Sequence, residues 1–133
     1  MKMKIKTILT FFLIGVTMSA CKEKAPNLIL SKYTCDLGQV YEGNIIDGNV
    51  TVYNKGDRTL FINDLYPDCN CIKVEINKRE IAKNDSAIVH FSINTARKSE
   101  ETENIVTLQA NTDSVIHFFT INAFVINPND NDL

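Results

Sequence analysis

The chain has 133 residues, 14 Lys and Arg against 16 Asp and Glu, and a formal net charge of −2. That size suits a single domain with a short leader. The balance argues against nucleic acid as a partner, because displacing counterions calls for clustered Lys and Arg.

The first twenty residues read as an export signal. Lys2, Lys4 and Lys6 form a cationic start without an acid, an apolar run follows from Ile8 to Val16, and Met18-Ser19-Ala20-Cys21 closes it. The stretch from Ile8 to Ala20 would span only about 20 Å as a helix, against a hydrocarbon core of about 30 Å, so it is too short to cross a membrane. Ordinary signal cleavage after Ala20 wants a small residue where Met18 stands. An aliphatic residue, two small residues and a cysteine resemble a bacterial lipobox, which makes Cys21 the lipidated first residue of the mature chain. Two or three acyl chains there would hold the protein stably, whereas one chain binds only marginally. The expected address is the bacterial cell envelope, lipid-anchored, at the outer membrane on its periplasmic face or the cell surface. Lys22 stands where an Asp would, in some bacteria, retain a lipoprotein in the inner membrane. Lys22-Glu23 resembles the surface-export signal of Bacteroidetes lipoproteins, from which Lys24 departs. Removing residues 1–20 leaves eleven basic residues against sixteen acids, a net charge of −5.

The rest of the chain reads as all-β. Residues 21–27 form a short acylated tether. Leu28 to Leu30 and Tyr33 to Cys35 read as a first strand with an irregular middle. Ile46, Gly48, Val50 and Val52 alternate with polar residues, the period-two mark of a half-buried strand. Asn54-Lys55-Gly56-Asp57 supplies a turn, with Gly56 free to take positive φ. Leu60, Ile62 and Leu65 continue to Pro67, and Ile72, Val74 and Ile76 alternate again before a polar stretch over 77–86. Ala87, Val89, Phe91 and Ile93 share one face. The polar run 97–104, with Glu100, Glu101 and Glu103, is expected to be an exposed loop. Val106, Leu108 and Ala110 make the next strand, Asn111 to Ser114 a turn, and residues 115–126 a long β-branched and aromatic strand. Residues 127–133 are expected to fray. About seven strands over 28–126 predict an antiparallel β-sandwich, with a barrel as the alternative. Its core should contain Val50, Val52, Leu60, Ile62, Val89, Phe91, Val106, Leu108 and Phe119.

Several of these segments carry a family resemblance. Cys35-Asp36-Leu37-Gly38-Gln39-Val40 with Glu42-Gly43 resembles the Phe-x-Phe-Gly-x-Val opening of the bacterial family called domain of unknown function 1573. Val52 to Gly56 resembles its strand ending in Asn-x-Gly, and Leu60-Phe61-Ile62 its Leu-x-Ile. Asp68-Cys69-Asn70-Cys71-Ile72 stands where that family has Ser-Cys-Gly-Cys-Thr, and Ile88 to Phe91 follows where a Pro-Gly turn leads into a strand. The resemblance covers residues 33–125. Asp68, Asn70, Ile72, Cys35 and Lys83-Asn84 depart from the family pattern. It implies an immunoglobulin-like sandwich of the PapD and ASH kind and names no reaction.

Cys69-x-Cys71 is the one chemically suggestive pair. In a straight strand such cysteines have Cα atoms about 6.5–7 Å apart, at or beyond disulfide reach. A turn at Asn70, which tolerates the left-handed region, would bring them together, and a ring that small is expected to be easily reduced. Export favours bonding, yet four cysteines less Cys21 leave three. A thiolate metal site would need more ligands. Only Cys35, His90 and His117 offer soft donors, and their spacing matches no metal motif. Cys35 reads as a small buried hydrophobe, and the acidic run lacks the alternating oxygens and Gly turn of a calcium loop.

No nucleophile elbow, His-Glu-x-x-His or phosphate loop is present, so the reading is non-enzymatic and cofactor-free. The expected function is a membrane-anchored module that binds another envelope protein or a peptide, since sheet edges capture extended chains. Thiol-redox or copper/zinc handling through Cys69 and Cys71 is the alternative, and a spacer without a specific ligand is a third. The mature protein should begin at Cys21 and carry acyl chains by intact mass, and Cys21→Ala should leave unlipidated precursor. A soluble, unmodified wild-type chain beginning elsewhere would refute the lipobox.

Overall fold

Alternation sets the architecture, because each strand buries every second residue. A computed structural model describes residues 21–131; the export signal read over 1–20 lies outside them. The strands are β1 (Leu28–Leu30), β2 (Thr34–Tyr41), β3 (Ile45–Asn54), β4 (Leu60–Pro67), β5 (Ile72–Ile76), β6 (Glu80–Ile81), β7 (Ser86–Asn94), β8 (Glu100–Ala110) and β9 (Ile116–Ile126). They form a four-stranded sheet, β1-β3-β7-β5, and a five-stranded sheet, β2-β9-β8-β4-β6. All nine residues expected in the core are buried. Phe91 of the first sheet meets Phe119 of the second with ring centroids 6.1 Å apart. Gly48 lies opposite Phe91 in the β3–β7 register, and a Cβ there would overlap the Phe91 ring. The aromatic ring thus fills the space that the glycine leaves.

Three expectations are corrected. The first strand is two, β1 and β2, which belong to different sheets; with the short β6, the count becomes nine rather than seven. The sandwich is not wholly antiparallel, because β2 runs parallel to β9. β1 and β2 run onward in one direction, so the crossing at residues 31–33 fixes β2 alongside the similarly directed β9. Residues 100–104 belong to β8 and not to a loop, with Glu101 and Glu103 on its solvent face and Asn104 turned inward. Polar residues on the outer face of a strand look like a loop in sequence. Within the tail, Pro128–Asn131 form a 3₁₀ turn, with Pro128 supplying its fixed φ.

The tether is docked. Lys24 N–H donates to the Asp57 carboxylate (2.8 Å), Asp57 N–H to the Lys24 carbonyl (3.2 Å), and Lys55 N–H to the Asn27 carbonyl (2.8 Å). Asn54, fully buried, holds this corner together. Its Oδ1 accepts from Gly56 N–H (3.0 Å) and Asn27 N–H (3.4 Å), and its Nδ2 donates to the carbonyls of Arg58 (2.8 Å) and Ile81 (3.0 Å). Gly56 does not use positive φ; it is needed because a Cβ would overlap the Ala25 carbonyl and the Asn27 nitrogen. Lys83 pairs with Asp57 at 2.7 Å and holds that carboxyl below its ordinary range.

Phe91→Ala should cost about 3–5 kcal/mol in chemical denaturation. Asn54→Ala should cost about 2–4 kcal/mol, since it strands several buried donors and acceptors. In addition, Asn54→Ala should open Lys22 and Lys24 to trypsin under conditions where both variants are folded, and Phe91→Ala should not. Equal cleavage of the two would refute the clamp.

Candidate functional site

Strand direction separates the chain's marked residues into two ends. β3 finishes and β4, β7 and β9 begin at the end where the tether docks. The turns at 42–44, 68–71 and 95–99 gather at the other end. Cys21, exposed and unbonded, lies at the tether end. Cys69 and Cys71 lie at the far end, bonded to each other with Cα atoms 5.1 Å apart.

The cysteine turn is where the chain crosses from β4 in one sheet to β5 in the other. Ile72 N–H donates to the Cys69 carbonyl (3.1 Å) and closes the turn. Asn70 makes it without entering the left-handed region, contrary to the expectation from its family position. Asp68 N–H donates to Ile105 of β8 (2.9 Å), and Asn94 N–H of β7 donates to the Cys71 carbonyl (2.8 Å), so the turn is tied to both sheets. Both cysteines are half-buried and pack on the core. Asn104 lies behind them, 5% exposed, with Oδ1 3.9 Å from Cys71 Sγ and Nδ2 unpaired. A bonded sulfur carries no hydrogen, so the amide that faces it productively presents nitrogen; the flipped Asn104 fits better.

Beside the turn an open groove of about 470 Å³ is lined by Ile45, Asn70, Cys71, Lys73, Asn94 and Arg97, among others. Arg97 adopts φ 60°, and its N–H donates to Glu42 Oε1 at 3.0 Å. Buried Thr95 fixes the same loop by donating to the Tyr41 carbonyl at 2.8 Å. Lys73 and Arg97 were not singled out from sequence, because the topology alone brings positions so far apart to one groove.

The other soft donors stand apart. Cys35 is buried in β2, and desolvation pushes its thiol up against the opposing influence of Lys32. His90 is on the outer face of β7, its Nδ1 2.8 Å from Asn49 Oδ1. His117 is at the tether end, its Nε2 2.7 Å from Thr112 Oγ1, with burial pushing its imidazole down. Among the described residues no three His, Cys, Asp or Glu side chains gather as metal ligands would.

The disulfide thus lies inside the turn where the chain crosses between sheets. Cys69→Ser with Cys71→Ser should lower stability by only about 1–2 kcal/mol, because so short a closed loop restrains the unfolded chain little. Zinc or copper titration of the reduced wild type should find no thiol-dependent site tighter than micromolar. A stoichiometric site lost in the double variant would instead support metal handling.

The similarities of the chain agree with this architecture. A protein of unknown function from Porphyromonas gingivalis W83 matches with a TM-score of 0.69 at 14% identity, covering 81% of this chain and 51% of that one. The chain thus spans about half the length of that structure. The ASH / PapD-like domain of human CEP192 matches with a TM-score of 0.59 at 8% identity, over 86% of this chain and 96% of the domain. The Vibrio cholerae VesB protease matches at 0.59 and 14% identity, over 74% of this chain but 31% of its own. At such identities these likenesses show the fold, an immunoglobulin-like β-sandwich of the PapD and ASH kind. No curated protein is similar to the chain in sequence. The profile of proteins of unknown function DUF1573 matches residues 28–125, and the chain belongs to that family.

Proposed function

We propose that the protein is a lipid-anchored envelope module, without catalysis of its own, that holds another envelope protein or a peptide at the end remote from its anchor. The observation that carries this reading is the docking of the tether. Because Lys24 and Asn27 are bonded to the corner around Asn54, a lipid on Cys21 would fix one end of the sandwich toward the membrane. The cysteine turn and its groove then point away, within reach of a partner.

The groove suits an extended, acidic segment. β5 is an edge strand of its sheet, with unpaired backbone groups along one side. Lys73 of β5 and Arg97 both line the groove. Adding a strand at such an edge supplies main-chain bonds, and the two cations supply charge selection.

A photo-crosslinking residue at Asn70 in the native envelope should capture one discrete protein, identified by mass spectrometry. The same probe at Asp113, on the tether end, should not capture it. Reversing both charges, Lys73→Glu with Arg97→Glu, should weaken capture by about tenfold, equivalent to about 1.4 kcal/mol. A dispersed background at Asn70 matching that at Asp113 would favour the spacer reading.

A further inference from the structure

The outer face of the five-stranded sheet has two unlike halves. At the tether end, Ile116 of β9 lies beside Gln109 of β8, which lies beside Asp64 of β4. Further along the strands Phe118 lies beside Thr107 and Thr107 beside Tyr66, and Ile105 lies beside Thr120 close to the cysteine turn. Phe118 is 56% exposed and Ile116 51%, and Val115 in the preceding turn is 53% exposed. Toward the other end the same face carries Glu101 and Glu103, with exposed Phe124 beside Glu101 and Asp36 paired alongside on β2. Exposed aromatic and aliphatic side chains gathered on one face mark a surface that something covers.

Its position specifies the occupant. Val115 and Ile116 lead into β9 at the docked tether, and His117 shares a cleft of about 610 Å³ with Lys22, Lys24 and Lys55, in which Glu23 and Asp113 offset part of the positive charge. Among the described residues none of these three lysines is paired with an acid. In a chain that begins at an acylated Cys21, only residues 21–23 would precede the first docking bond at Lys24, which gives the anchor a reach of about 10 Å when extended. A lipid on Cys21 therefore keeps this end close to the bilayer. There, half-exposed Phe, Ile and Val side chains meet acyl boundary, and Lys22, Lys24 and Lys55, the last stacked over the Tyr53 ring, meet anionic headgroups. That combination is the one that holds amphipathic surfaces in an interface.

We propose that the apolar half of this face, around Phe118 and Ile116, rests in the interfacial zone of an anionic bilayer, so that the domain lies tilted on β4, β8 and β9. Glu101, Glu103 and Asp36 are repelled by the same lipid and set the limit of the tilt. The inference rests on the acylated Cys21 of the reading above and is separable from it by experiment.

The chain contains no Trp, so a single substitution reports on its own surroundings. Phe118→Trp and Phe124→Trp replace exposed residues at the two ends of one face. Each full-length lipoprotein, acylation verified by mass, is reconstituted into vesicles of phosphatidylcholine and phosphatidylglycerol with brominated acyl chains. Phe118→Trp should show blue-shifted emission and strong quenching, and Phe124→Trp should show neither. Lys22→Glu with Lys24→Glu and Lys55→Glu should reduce the quenching at Phe118→Trp. Equal quenching of the two reporters, or none in either, would overturn the inference. A blue shift without bromine quenching would also overturn it, showing the patch covered by protein. An unacylated Cys21 would fail the anchor itself and be seen by mass before any fluorescence is read.

Discussion

The side chain of Asn54 is the constraint from which the arrangement of this protein follows. It is fully buried, and an unpaired buried polar group costs about 1–3 kcal/mol, so the site is stable only if all its partners are in place. Those partners come from the tether, the β3–β4 turn and β6, which lie far apart in sequence. The pocket also selects the residue. Asp has the acceptors but cannot donate to the Arg58 and Ile81 carbonyls, and Gln would place the same amide one methylene too far. Gly56 completes the device by leaving room for the tether backbone. What looks in sequence like an ordinary Asn-x-Gly turn is the fastening point of the N-terminal segment.

The two openings of the sandwich are closed by different means. At the tether end, a polar side chain ties main-chain groups together. At the far end, the chain crosses between sheets in a turn bonded to Ile105 on one side and Asn94 on the other, with the Cys69–Cys71 bond inside it. Between them, the Phe91 ring fills the space over Gly48 and meets Phe119, which ties the sheets together through packing alone. Each opening would otherwise leave strand termini with unpaired groups next to an apolar core.

Much of this was legible in advance, because alternation is local. Val50 and Val52, or Val89 and Phe91, declare their faces within four residues. The errors arose where the deciding contact was distant. Leu28 to Leu30 and Thr34 to Tyr41 read as one strand, because nothing nearby reveals that β3 takes the first part and β9 the second. Glu100 to Glu103 read as a loop, because the facing residues from Asn122 to Val125 are invisible in a local window. Ile81 lay unnoticed in a polar stretch, although its burial and its carbonyl bond to Asn54 make it a central residue. Of the candidate site, the cysteine pair could be read, whereas Lys73 and Arg97 meet only through topology.

The parallel pairing of β2 with β9 bears on how the chain reaches its native state. Thr34 and Thr120 are 86 positions apart, yet their hydroxyls are 3.2 Å apart across the finished pairing. A chain emerging N-terminus first would expose β2 with no strand to join until nearly all of the domain had been delivered. Contacts of such high sequence separation slow folding, since loop closure must precede any return from pairing. During that interval β2 is an unpaired edge, open to other chains. The bulge between Asp36 and Gln39 makes it a poor template for association while it waits.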